Sequence, residues 1–264
     1  MQLPSLPERP AGLPEFGSPP LREVAIAVLF HPLPGLAQAH VGRYWELIRD
    51  RYPRVRDLPP IEPYLEAEAR GQPLFQLQVG PPPLRRSWFI SEDDERLVQL
   101  QNDRFVHNWR GDGTSYPHLE DLWSSFAERF TEFAGWVSTE DIGSIEPFQL
   151  ELTYVNVIEA PSLWDVLRGV DPPVPARFAE DVRTPEPKIE LRYEVDGERN
   201  AALYVHCRQR DVGVQQIELT FRAALESPEF ASLPDAVATG RRLIVTHFTA
   251  LTTPALHERW DRKR

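Results

Sequence analysis

Polar and apolar residues alternate with a period of two in several short stretches and recur every three or four residues in a few longer ones. Arg22–Phe30 (REVAIAVLF) is rich in Val and Ile and reads as a strand, its apolar run Val24–Phe30 too short to cross a bilayer. Gly35–Tyr52 carries Leu36, Ala39, Tyr44, Leu47 and Ile48 at helical spacing and stops at Pro53. Short strands follow at Leu74–Val79, Ser87–Ile90 and Leu97–Leu100, the last two flanking the acidic turn Ser91–Arg96, and at Arg104–Trp109. Tyr116–Val137 is the strongest helix, with Leu119, Leu122, Trp123, Phe126, Phe130, Phe133 and Val137 on one stripe.

The second half opens with Phe148–Ile158, a clear strand by alternation. A short helix is expected over Pro161–Val170, with Ser162 near its start. Ile189–Val195, Asp196-Gly197 and Ala201–Arg208 read as a hairpin, because Asp-Gly supplies the backbone that tight turns need. Val214–Leu225 is a further strand, Leu233–Leu251 a long helix, and Thr253-Pro254 restarts a short one to Trp260.

This order repeats. The expectation is an α+β fold built by tandem duplication of a β-α-β(3–4)-α unit, with a curved antiparallel sheet and long helices on one face, in the TBP-like or helix-grip manner. The divisions are a Pro-rich arm over 1–20, a first unit over 21–145 and a second over 146–264.

Composition sharpens this picture. Of the 27 prolines, 19 fall in 1–20, 53–83 and 172–187, which marks those stretches as loops or extended arms and leaves the periodic segments nearly free of them. A net charge of -11 argues against binding nucleic acid through a spread of cations, with Arg85-Arg86 and Arg241-Arg242 as the only candidate patches. One Cys excludes an internal disulfide. The first twenty residues lack the pattern of a signal peptide, so a cytoplasmic chain with no membrane segment is expected.

Catalytic signatures are missing: His257-Glu258 lacks the second His of a zinc helix, and neither a phosphate-binding Gly loop nor a nucleophile elbow occurs. No metal site, cofactor or catalytic residue is assigned. Three polar groupings are candidates for binding. Gln99, Asn108 and Arg110 could orient a ligand stacked on Trp109 in a groove of the sheet, with Arg110 favouring an anionic group. Glu151 and Asn156 lie on opposite faces of the long strand, Asn156 also suiting a structural staple. His257 and Trp260 near the C-terminus suit an exposed docking face.

Four ordered segments, PPLREVAIAVLFHPLPGL, RLVQLQNDRFVHNWR, QLELTYVNVI and HFTALTTPALHERW, resemble an uncharacterised, sporadically distributed prokaryotic protein family of about this length. The resemblance implies no reaction, but its distribution points to accessory, defence-type or toxin–antitoxin-like systems. The expected function is therefore a non-enzymatic interaction protein with a protein partner, homodimerisation being open. The alternative is a small-ligand-binding protein or enzyme with a pocket between sheet and helices around Trp109.

Overall fold

A computed structural model describes residues 3–62, 84–111, 116–169, 188–195, 200–225 and 230–263. In chain order they form β1 (Leu21–Phe30), α1 (Gln38–Ile48), β2 (Arg54–Leu58), β3 (Arg86–Ile90), β4 (Arg96–Gln101), β5 (Arg104–Arg110) and α2 (Leu119–Thr139). The second half supplies β6 (Pro147–Glu159), β7 (Lys188–Glu194), β8 (Ala201–Asp211), β9 (Val214–Ala224), α3 (Leu233–Leu251) and α4 (Pro254–Arg259). The strands make one nine-stranded, curved, open sheet in the order β2-β3-β4-β5-β1-β6-β9-β8-β7. All neighbours are antiparallel.

Each half begins with an inner strand, steps out to a sheet edge and meanders back. β1 and β6 pair at the centre, so both halves share one sheet and one core. Alternation decides which side chains enter that core. Val24, Ile26, Val28 and Phe30 of β1 face the helices, as do Leu150, Leu152 and Tyr154 of β6. α1 buries Val41, Tyr44 and Ile48. In the first half the core is an aromatic seam, where the Phe105 ring lies 6.2, 5.5 and 5.1 Å from those of Phe126, Phe130 and Phe133. Each such ring contributes roughly 1.5–3 kcal/mol by leaving water.

Two expectations change, and the course of the arm is defined. The Pro161–Val170 helix is a single 3₁₀ turn over Leu163–Asp165, where Ser162 Oγ accepts from Trp164 N at 3.2 Å. β2 is a strand inside the expected loop at 53–83; five residues between Pro53 and Pro59 suffice for an edge strand against β3. The Pro-rich arm lies along its own chain. Leu3 and Leu13 are buried, Trp123 Nε1 donates to Pro4 O at 2.9 Å, and Gly17 N and Ser18 N donate to Asp261 O and Trp260 O. The strand expected over Leu74–Val79, the Asp196-Gly197 turn and the prolines of 172–187 lie outside the described residues.

Candidate functional site

Among the concave surfaces of the described residues, two lie on opposite faces of the sheet and gather the polar groups of interest. The first is a cleft of about 90 Å³ on the helix side, under the N-terminal arm. Four elements build it. α3 presents Arg241, Ile244, Val245 and Phe248, spaced i, i+3, i+4, i+7 on one helical stripe. β6 adds Tyr154 and Asn156, the latter opposite Leu21 at the start of β1. α2 contributes Glu120 from its first turn and Tyr116 from the segment before it, and the arm contributes Arg9 and Phe16.

Most of the lining is apolar; of its polar residues Tyr154, Asn156 and Arg241 are buried, while His118 and Glu120 at the rim are exposed. The hydroxyls of Tyr116 and Tyr154 lie 3.2 Å apart. Burial pushes the Tyr154 phenol up to about 12 and Tyr116 well above its ordinary value, so both stay protonated. Arg241 is only 4% exposed. Its Nη1 donates to Glu120, while Nε and Nη2 have no hydrogen-bond partner. Burial raises the Glu120 carboxyl, but the hydrogen bond and charge of Arg241 outweigh it and hold the group below its usual value. On the arm, Arg9 Nη2 donates to Pro14 O at 2.7 Å and to Leu13 O at 3.2 Å, and its buried Nε is unpartnered.

The second surface is a groove of about 380 Å³ on the face turned away from the helices. On the same face of the sheet Gln99 Nε2 donates to Asn108 Oδ1 at 2.8 Å, and Asn108 Nδ2 to Glu23 Oε1 at 2.5 Å. Trp88 Nε1 donates to Gln99 Oε1 at 2.8 Å, and the Arg110 guanidinium lies 4.7 Å from the centre of the Trp88 ring. Burial raises the Glu23 carboxyl above its ordinary value, against the pull of Arg110 and Asn108. In the other half Glu151 pairs with Arg222 at 3.0 Å, and Arg222 lies 4.6 Å from the centre of the Tyr204 ring.

The sequence-derived candidates thus divide. Gln99, Asn108, Arg110 and Glu151 share the second face. Trp109 does not join them: it is one residue from both Asn108 and Arg110 and so points to the other side, where it is 2% exposed. The tryptophan of that face is Trp88, directly opposite Gln99 in register. Trp109 instead stands behind the arm cleft, edge-on to Tyr116 at 5.5 Å. Asn156 lines the cleft and also donates to Ile217 O at 3.3 Å, stapling β6 to β9.

His257 and Trp260 are not an exposed face; each is 5% exposed. Trp260 stacks on Phe248 at 5.3 Å and meets Phe16 edge-on at 5.9 Å. Arg262 Nη1 lies 3.3 Å from His257 Nδ1, which assigns that nitrogen as acceptor and Nε2 as the donor to Thr252 Oγ1 at 2.8 Å. Thr252 Oγ1 then donates to Phe248 O at 2.8 Å, closing the corner between α3 and α4. Both residues brace the wall of the cleft.

Sequence reasoning missed Arg241 as a site residue, considering it only with Arg242 as a phosphate-binding patch. The signal was present: Val237, Arg241, Ile244 and Phe248 fall on one apolar stripe, and a lone Arg on such a stripe is buried and needs partners. Among the described residues, no cluster of His, Cys, Asp and Glu could hold a metal ion, and no helix is long and apolar enough to cross a membrane. No protein-family model and no curated protein matches the chain.

Proposed function

We propose that this protein is a non-enzymatic binding protein whose arm cleft takes a small ligand. The observation that carries the reading is Arg241, a buried guanidinium in the cleft wall with two unpartnered nitrogens. Native structures rarely leave such groups unsatisfied, so they mark a place where something else binds. The described lining is mostly apolar with a few convergent polar groups, the usual character of a small-ligand pocket. A fragment screen by thermal shift tests this. Fragments that raise the melting temperature of the native chain should fail to do so after Val245→Trp, which fills the cleft; shifts that survive that substitution overturn the reading.

We infer further that the two halves are copies of one β-α-β(3–4)-α unit. The strand order reads outward from β1–β6 in the same sense on both sides. Glu23 faces Arg110 across β1–β5 as Glu151 faces Arg222 across β6–β9, and each Arg lies over an aromatic ring. Superposing these pairs sets a twofold axis through the facing residues Ala25 and Thr153. Long helices on one face keep the TBP-like or helix-grip analogy as a comparison of folds alone.

A second reading, a protein partner or a second copy, is favoured by edge strand β7, which exposes Leu191 and Tyr193 at 39% and 37%. Light scattering across a concentration series tests it: association that disappears with Tyr193→Lys supports strand addition, and a concentration-independent monomer counts against self-pairing.

A further inference from the structure

We infer that the ligand of the arm cleft is a compact organic carboxylate, its two oxygens held side-on by the Arg241 guanidinium and its apolar body packed against Phe16, Leu21 and Phe248. This rests on the binding reading above and adds the chemical class.

The first argument is which atoms are unsatisfied. Among the described residues, three buried side-chain polar atoms without a hydrogen-bond partner, Arg9 Nε, Arg241 Nε and Arg241 Nη2, belong to residues lining this one cleft. All three are donors. The Tyr116–Tyr154 pair adds a fourth, because one hydroxyl donates to the other and the acceptor keeps its own proton. A site supplied with donors calls for a ligand rich in acceptors.

The second argument is geometry. Nε–H and Nη2–H lie on the same edge of the planar guanidinium and point the same way, a spacing that two carboxylate oxygens match. Glu120 engages Nη1 and leaves that edge, buried in the cleft wall, without a hydrogen-bond partner. A Lys in this position would offer a point charge without the fork.

The third argument selects among anions. Phosphate is tetrahedral, often dianionic and strongly hydrated, whereas these walls are mostly apolar and carry Glu15 and Glu120. A monoanion with a hydrocarbon body suits both features. Size sets the upper bound: about 90 Å³ is several times the ~10–15 Å³ that one water needs on the same kind of measure, room for a small aryl or branched-alkyl acid but not for a nucleotide.

Isothermal titration of the full chain with benzoate, benzamide, 3-methylbutanoate, 3-methylbutanamide and inorganic phosphate tests this. At least one acid is expected to bind tenfold or more tightly than its amide. Arg241→Lys should weaken that acid at least tenfold and leave the amide unchanged. The acid–amide comparison on the native chain needs no variant, and circular dichroism checks that Arg241→Lys folds. Equal binding of acid and amide overturns the carboxylate class while leaving a small-ligand cleft intact. Phosphate binding that depends on Arg241, with neither acid bound, overturns it in favour of an inorganic anion. Absence of binding by all five probes also overturns it, and the fragment screen then decides the broader reading separately.

Discussion

Lowering the pH should destabilise this protein through one buried imidazole. His107 lies on β5 facing the helices, 1% exposed, with its Nε2 3.5 Å from Tyr52 Oη and 3.4 Å from Ser125 Oγ. Burial first, then the charges of Arg96 and Arg129, depress its pKa from 6.5 to about 3. The unfolded chain therefore binds a proton below pH 6.5 that the folded chain refuses. For a depressed group of this kind the stability is present above the unfolded pKa and is lost as pH falls through the window between about 6.5 and 3. At pH 5 the loss relative to pH 8 is about 2 kcal/mol, from RT ln(1 + 10^1.5) with the native state still neutral. Urea denaturation at pH 5, 6, 7 and 8 measures it. His107→Gln removes the titrating group while retaining a polar side chain, so its stability should fall by about 2 kcal/mol less over the same range. His257, also depressed by burial and by Arg262 and Arg168, and Glu23, raised by burial, titrate in both proteins and cancel in the difference. Parallel pH profiles for the two proteins, or an NMR titration placing His107 near 6.5, would refute the reasoning.

Three other outcomes follow from packing. A Cβ at Gly240 would stand 2.6 Å from Phe221 Cδ1 and 3.2 Å from Leu152 Cδ2, so Gly240→Ala should cost about 1–2 kcal/mol by chemical denaturation, overpacking exceeding the gain in helix propensity. Cys207 is 2% exposed and burial pushes its thiol up to about 11, so the folded chain should not react with a disulfide reagent until denaturant is added. Deleting residues 3–18 removes the contacts of Leu3, Leu13 and Phe16, and should lower the denaturation midpoint and shift tryptophan emission to the red as Trp123 and Trp260 gain solvent. An unchanged midpoint would mean that the arm is not part of the folded core.

The periodic segments were legible because the sheet buries one face and the helices one stripe. β1, β6 and α2 are written plainly in VAIAVLF, LELTYVNV and the run of Leu, Trp and Phe along α2. β2 was hidden because Pro53 and Pro59 bracket a segment whose side chains are almost all exposed, so no alternation marks it. The grouping of Gln99 with Asn108 and Arg110 was legible from facing strands, but the choice of Trp109 over Trp88 followed nearness in sequence where strand parity rules. The arm's course was not legible. Its anchors, the buried Leu3 and Leu13 and the half-buried Phe16, are separated by prolines, and an extended segment has no period to read.

The duplicated-unit reading also suggests why the cleft sits in only one half. Under a twofold axis between Ala25 and Thr153, Tyr154 and Asn156 take the places that Ile26 and Val28 hold in the first half. Ile26 and Val28 are 1% and 0% exposed within the main core, on the half that carries the packed seam of Phe105, Phe126, Phe130 and Phe133. On that reading the apolar pair is replaced at the corresponding end of β6 by a phenol and an amide, and Arg241 of α3 lines the same cleft. A close-packed core gains nothing from a guanidinium with two unpartnered nitrogens, and replacing buried charge with apolar groups of similar volume is often neutral or stabilising. Stability alone would have favoured two aromatic halves. On the duplicated-unit reading, the departure from symmetry coincides with the cleft, the unsatisfied donors and the arm that roofs them, and the difference between the halves then points to where function resides.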